Sequence, residues 1–304
     1  CTNHCPVTIY KFSNHIQCFA GHKCEKIFTN SIQTIEKGEL IFDAKKALYQ
    51  QNNCCKGGSK SSKIGIPMIL NMYENYPFWN TLFKESGFEV VRSDDSSQSL
   101  YQKGIGGAMS DNICLPAKLS HGHIINLIEK KVDRIFLPIV VYEKKQFNKT
   151  TNSFNCPVVT GYPEVLESGV IDLADKNFVI DKITINFKDP KLLRKSCQHY
   201  LKSLGVRSKT FEFAFQKALE KQEWSKKYII EENKRILKKA IQENRPLILV
   251  AGHPYHADPF IHQNVSTILA DLGVFVINEE VASYSEEGFD HFFTISQWEY
   301  TNRI

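Results

Sequence analysis

Lys63-Ile-Gly-Ile-Pro-Met-Ile-Leu70 reads as a short buried strand, a compact apolar run that follows a long polar stretch. A helix is expected over Glu74–Ser86, and Phe88-Glu-Val-Val-Arg92 returns to strand. Strand, helix and strand in that order make a parallel βαβ unit. The alternation continues outward. A helix follows Cys114 with Leu119, Ile124, Leu127 and Ile128 as its apolar positions, and Val132–Tyr142 is a third strand with Pro138 towards its C-terminal part. Residues 190–206 and 208–243 read as helices, the second carrying Phe211, Phe215, Ala218, Ile229, Ile236 and Ala240 at roughly helical spacing. Leu247–Ala251 is again a strand, followed by a helix near Ile261–Leu272 and a strand at Val274–Asn278. The expected fold is therefore α/β, a doubly wound, mostly parallel sheet or sheets with flanking helices over residues 63–304. In such sheets ligands gather beyond the C-terminal strand ends, where the strand order reverses.

Two other segments precede that domain. Residues 1–30 hold Cys1-Thr-Asn-His-Cys5, a polar hairpin-like run and Gly21-His-Lys-Cys24. Cys1, Cys5 and Cys24, the last brought back by the hairpin, form an expected metal knuckle, with His4, Cys18 and His22 as either a fourth ligand or bystanders. Residues 31–62 read as a helical or irregular connector ending in the linker-like Cys54-Cys55-Lys-Gly-Gly-Ser-Lys-Ser-Ser62. Adjacent cysteines rarely both reach one metal, so Cys54 and Cys55 are read as incidental. The chain begins at Cys1 and a sheet is still being extended near residue 280, so a fragment cut at both ends and C-terminally incomplete is expected.

Composition excludes several classes. A net charge of +5 with scattered lysines offers no basic tract for nucleic acid. No apolar run reaches the roughly 18 residues of a membrane span. With no secretion signal in view, a cytoplasmic location is expected. Nine cysteines at irregular spacing do not form a secreted disulfide framework, and clustered cysteines point to metal or redox chemistry. No Gly-x-Gly-x-x-Gly follows a strand, no Gly-x4-Gly-Lys-Ser/Thr occurs, and Gly104-Ile-Gly-Gly107 is too short and misplaced for a phosphate loop. The absence of a Gly-x-Ser-x-Gly elbow argues against serine hydrolase chemistry.

Three stretches carry chemistry. In Ser110-Asp-Asn-Ile-Cys-Leu-Pro-Ala-Lys-Leu-Ser-His-Gly-His123, Asp111 or Asn112 is the expected helix cap and Pro116 sits in the first turn. Cys114 then lies at the positive end of the helix, whose field favours a thiolate for metal binding or attack. The alternative is a buried packing thiol. In Asn155-Cys-Pro-Val-Val, Cys156 precedes a short apolar run and a turn; it is either a buried thiol or part of a second Cys-Pro loop that could converge with the first on one site. Gly252-His-Pro-Tyr-His-Ala-Asp258 follows a strand, where His253, Tyr255, His256 and Asp258 either serve as acid, base or ligand or merely satisfy loop backbone. Cys197 reads as a helix-packing residue.

The long motifs resemble the activase-related domain of the 2-hydroxyacyl-CoA dehydratase activase family. The resemblance rests on Lys63-Ile-Gly-Ile-Pro-Met-Ile-Leu-Asn-Met-Tyr-Glu-Asn-Tyr-Pro-Phe-Trp79, Gly87-Phe-Glu-Val-Val, and Cys114-Leu-Pro-Ala-Lys with His121-Gly-His123. It continues in Asn155-Cys-Pro-Val-Val with Tyr162-Pro-Glu-Val, and in Ala251-Gly-His-Pro-Tyr-His-Ala-Asp-Pro259. The N-terminal Cys1-x3-Cys5 and Gly21-His-Lys-Cys24 resemble the segment that precedes this domain. Three positions depart from the family pattern: His22-Lys23 stands for Asn-Arg, and His253 stands for an arginine, removing a bidentate anion donor. The resemblance implies an oxygen-sensitive iron–sulfur protein of anaerobes, with a cluster, of 4Fe-4S type, on Cys114, Cys156 and a cysteine beyond Ile304. Cys1, Cys5 and Cys24 would hold zinc or another cluster. Implied partners are ATPase activase modules, fused or separate, and a dehydratase subunit or acyl-CoA substrate. The function implied is transfer of ATP-driven low-potential electrons to that substrate or dehydratase, with His253, Tyr255 and His256 supplying protons or positioning substrate. The alternatives are a non-catalytic zinc-binding scaffold that docks the activase, and a cysteine nucleophile pairing Cys114 with His121 or His123.

Overall fold

The computed structural model describes residues 7–13, 17–20, 36–50, 62–147, 150–170, 178–282 and 297–304. The expected knuckle cysteines Cys1, Cys5 and Cys24 lie outside the described residues, as do Cys54 and Cys55. Between them β1 (Thr8–Lys11) and β2 (Gln17–Ala20) form an antiparallel hairpin with Thr8 opposite Ala20.

The first sheet is built as the sequence pattern demands. α1 (Ile41–Gln50) comes first in the chain, and β3 (Lys63–Ile66) is followed by α2 (Met72–Glu85) and β4 (Glu89–Arg92). Next come α3 (Gln98–Gly104), α4 (Leu115–Glu129), β5 (Arg134–Phe136), β6 (Ile139–Tyr142), α5 (Pro157–Val170), β7 (Val179–Asp181) and β8 (Thr184–Asn186). The parallel order is β4-β3-β5-β7, so the chain starts in the middle, adds one strand on one side and then reverses between β3 and β5. That reversal is a switch point, where the loops leaving neighbouring strands part and open a crevice. The strand expected over 132–142 is interrupted at Pro138, which has no N–H to give a neighbour. The ladder is carried past it by Leu137 N–H to the Asp181 carbonyl (2.9 Å) and Ile139 N–H to the Ile183 carbonyl (2.8 Å), and β6 continues alongside β8. β7 and β8 were not legible in the sequence, and the turn expected after Cys156 is instead the helix α5, with Pro163 inside it.

Alternation of side chains across the strands assigns the two faces. Ile64, Ile66 and Phe136 face α2, α6 (Pro190–Ser203) and the first half of α7 (Ser208–Gln242), around fully buried Trp79 and Phe83. Ile135 and Leu137 face α4 and α5. The 35-residue α7 then passes to a second core, where Ile229, Ile236 and Ala240 meet α1 and the parallel pair β9 (Leu247–Val250) and β10 (Phe275–Asn278), joined through α8 (Val265–Asp271). α1 thus lies within the stretch read as a connector and packs Ile41, Phe42 and Leu48 into this second core. A last short helix, α9 (Glu299–Arg303), follows Trp298, whose backbone bridges to Phe154.

Two local features fix the α2 and α4 layers. Pro77 lies inside α2 and breaks its bonding. The carbonyl this frees at Tyr73 accepts the Tyr49 hydroxyl (3.1 Å). The next gap is filled by Gln222 of α7, which accepts from Phe78 N–H (3.1 Å) and donates to the Glu74 carbonyl (2.9 Å). Gly122 allows α4 to meet α3 backbone to backbone: a Cβ there would stand 2.1 Å from the Leu100 carbonyl oxygen. No helix among the described residues is long and apolar enough to cross a membrane.

Candidate functional site

In a parallel sheet each crossover helix begins at the C-terminal edge of the strands, so cysteines at helix starts are delivered to one end of the molecule. Cys114 is itself the N-cap of α4, and its carbonyl accepts from Ala117 and Lys118 N–H (both 3.1 Å). This corrects the cap expected at Asp111 or Asn112: Asn112 turns back on Ser110, and Lys118 holds the Asp111 carbonyl. Cys156 immediately precedes α5, and its carbonyl accepts from Thr160 N–H (3.0 Å). Both thiols are free and exposed, so neither is a packing residue.

The loop after β9 approaches the same place. His253 caps a 3-10 turn, Pro254–Ala257, and His256 Nδ1 accepts from His253 N–H (2.8 Å). The His253 ring stacks on Tyr255 with centroids 5.1 Å apart, and Tyr300 of α9 stands 5.7 Å from the same imidazole. Burial pushes the Tyr255 hydroxyl up to about 12, with Cys114 and then Cys156 adding to the rise, so both sulfurs lie within electrostatic reach of this one phenol. Burial also lowers His253 and His256, helped at His253 by the neighbouring imidazole. Both are neutral at pH 7. The geometry therefore gathers Cys114, Cys156, His253, Tyr255 and His256.

His121 and His123 go elsewhere. Both are buried in α4. His121 Nε2 meets the Tyr162 hydroxyl (3.1 Å). Ser93 accepts from Met68 N–H (2.8 Å) and meets His123 Nδ1 (2.8 Å), to which it donates because the ring hydrogen of neutral His123 lies on Nε2. His123 Nε2–H donates to Ser96 (2.9 Å), and Ser96 donates to Asp258, which also accepts from Tyr73 (2.8 Å). Neither imidazole pairs with Cys114, which removes the nucleophile–base reading. Asp258 is likewise held inward, as an anchor for its loop.

Several residues here gave no sequence signal. Buried Glu143 accepts from Asn155 (3.1 Å) and from Asn75 (3.4 Å), and Asn155 also donates to the Val140 carbonyl (3.0 Å). Asn71 donates to Asn155, so a buried amide cluster sets the residue before Cys156. Burial, with Glu74 nearby, raises the Glu143 carboxyl against the opposing Asn155 bond. Ser93 and Ser96 sit in a polar loop at the end of β4, and position beyond a strand was the only available hint.

Accessibility divides the thiols sharply. Cys197 is fully buried in α6, and burial raises its thiol well above the ordinary value. Iodoacetamide applied to the folded protein is expected to alkylate Cys114 and Cys156 but leave Cys197 unmodified until urea is added. Peptide mass mapping reads this, and labelling of Cys197 at the rate of Cys114 in native buffer would contradict the placement.

Among the described residues no group of three or more His, Cys, Asp or Glu side chains could hold a metal ion. No curated protein and no solved structure matches the chain significantly. A family profile described as CoA enzyme activase uncharacterised domain (DUF2229) matches residues 63–281, which spans the first sheet, α7 and the β9–β10 pair. The chain belongs to this CoA enzyme activase domain family.

Proposed function

We propose that Cys114 and Cys156 form a two-thiol seat for an iron–sulfur cluster, in an electron-transfer component of a CoA enzyme activase system. The observation that carries this reading is the convergence of two accessible thiols, each at the start of a helix, on Tyr255. The donor set suits the group: iron–sulfur clusters take thiolates, and helix N-termini favour an anion. The remaining ligands come from cysteines elsewhere in the protein or in a partner. When bound, a cluster supplies one-electron chemistry that side chains lack. Around it, Tyr255 keeps its proton and donates, neutral His253 accepts or positions, and neutral His256, its Nδ1 taken by the His253 N–H, presents its Nε2–H. ATPase activase modules as electron source, and a dehydratase subunit or acyl-CoA-type substrate as acceptor, belong to the same reading, as does a cytoplasmic setting. Cys1, Cys5 and Cys24 are proposed as a separate metal site.

Iron and acid-labile sulfide, measured on anaerobically purified protein, test this. Cys114→Ser and Cys156→Ser are each expected to lose at least half of the bound iron and to bleach the visible absorption. Circular dichroism should be unchanged, because both side chains are exposed. Full retention of iron in both variants would remove the seat from these helices.

A further inference from the structure

β9 has an open edge. In its parallel ladder with β10, Phe275 N–H donates to the Pro246 carbonyl (2.9 Å), so Pro246, Ile248 and Val250 turn their backbone groups to β10. The N–H and C=O of Leu247 and Leu249, and of Ala251 just past the strand, point the other way, and nothing among the described residues receives them. The far edge of β10 is closed, because Val276 N–H donates to the Glu39 carbonyl (2.9 Å).

Edge strands are ordinarily blunted by charge, proline or a bulge. Both edges of the first sheet follow that rule, with Glu89 and Arg92 in β4 and Asp181 in β7. β9 does not. Leu247-Ile-Leu-Val-Ala251 carries no charge, and Pro246 has its nitrogen on the β10 side. The first sheet also shows how such an edge is filled. β3 and β9 each open a parallel unit, β3-α2-β4 and β9-α8-β10, and the edge of β3 away from β4 is taken by β5.

The helix beside the open edge is apolar on the same side. On α8, Ser266 and Ala270 are buried, and Asp271 on one flank reaches Lys37 (3.0 Å), next to the segment that closes β10. Val265, Ile268 and the C-cap Leu272 recur at helical spacing on the other flank, the one nearer β9. These three, with Ile248 and Leu249, are each 39–61% exposed. Five half-exposed aliphatic side chains present on the order of 400 Å² of apolar surface, the size of patch that marks an interaction site.

Charge, area and symmetry select the occupant. Two copies can meet across this patch without opposing like charges, because neither the strand nor the stripe carries one. A two-fold axis at Leu249 pairs the strand antiparallel with itself: Leu249 exchanges both backbone bonds with its own mate, and Leu247 lies opposite Ala251. The same axis brings the two α8 stripes side by side on one face of the sheet. Two patches with their backbone edges bury about 1,200 Å² in total, where specific interfaces begin. We propose that β9 is a self-pairing edge, closed by a second copy of this chain into one β10-β9-β9-β10 sheet. The pairing is independent of the cysteine seat.

Sedimentation equilibrium of the intact chain tests this. Interfaces of standard size hold at micromolar strength or better, so a dimer is expected at about 100 μM chain. No larger species should form, because the axis closes. Leu249→Pro deletes the outward N–H and leaves the bonds to β10 in place, and Leu249→Lys sets two charges against each other on the axis. Each should raise the dimer dissociation constant at least a hundredfold. Ile268→Lys, on the stripe, should raise it at least tenfold. Circular dichroism should be unchanged in all three, because both side chains are exposed. A chain that is monomeric at that concentration, association beyond the dimer, or a dimer unaffected by Leu249→Pro and Ile268→Lys would overturn the proposal.

Discussion

Glu74→Ala is expected to lower the unfolding free energy by about 3–5 kcal/mol, the cost of leaving buried charge without its partner. Glu74 stands in the first turn of α2 with its side chain 13% exposed. It binds Lys226 of α7 and Arg303 of α9, each at 3.1 Å. Arg303 keeps Glu299 at 3.0 Å when Glu74 is removed, but Lys226 has no second carboxylate in its ion pairs among the described residues. The loss should fall on the α2–α7 contact and on the attachment of α9. Burial acts to raise this carboxyl, yet Lys226 and Arg303 outweigh it and hold the group well below its usual 4.5. A depressed carboxylate stabilises the fold above the unfolded value, and the contribution declines as pH falls below about 4.5. Urea unfolding of wild type and variant should therefore differ most near pH 7 and converge towards pH 3. A difference under about 1 kcal/mol at pH 7, the range of solvated pairs, would show that water already screens these charges.

The second large effect is acid loss of stability through His123. This imidazole is 1% exposed, and burial, assisted by Arg92, lowers it from 6.5 to about 3 against the opposing pull of Asp95 and Asp94. Its unfolded form takes a proton below 6.5 and its folded form does not. Stability due to this group is thus complete above pH 6.5 and is lost as pH falls towards 3, at up to about 1.4 kcal/mol per pH unit. The hydrogen bonds give the reason. Protonated Nδ1 would face a Ser93 hydroxyl that already receives Met68 N–H and would have to find its own hydrogen a new acceptor. His123→Gln should flatten the stability profile between pH 6 and pH 4 by about one proton relative to wild type. Coincident slopes for the two proteins would mean that His123 already titrates normally.

These two clusters do different work around the proposed cysteine seat. The Glu74 cluster fastens α9, and with it Tyr300, beside His253. The His123 relay fastens the loop that carries Tyr255, because Asp258 at its end is held by Ser96 and Tyr73. Both lie among groups that bring residues from distant parts of the chain to one edge of the sheet. Acid should therefore loosen the seat before it unfolds the α2 aromatic core, whose Trp79, Phe83 and Phe136 contain nothing that titrates.

The sequence by itself determined the α/β class, the run of alternating strands and helices from Lys63, and Cys114 at a helix start. These are local matters: apolar runs, helical spacing and proline in a first turn act over a few residues. It did not reveal β7 and β8, two three-residue strands whose pairing depends on partners some 45 residues earlier. It also expected a turn after the short apolar run that follows Cys156, where packing of α5 on α4 sustains a helix through Pro163. Only the tertiary structure decided the strand order β4-β3-β5-β7, and through it which helix starts became neighbours. It alone turned His121 and His123 inward, drew Ser93, Ser96 and Asp258 into one relay, and brought Tyr255 within electrostatic reach of two thiols. Gly122 shows the reason. In the sequence it is a glycine between two histidines; in the fold it is where α3 and α4 touch backbone to backbone, a contact that exists only once both helices are packed.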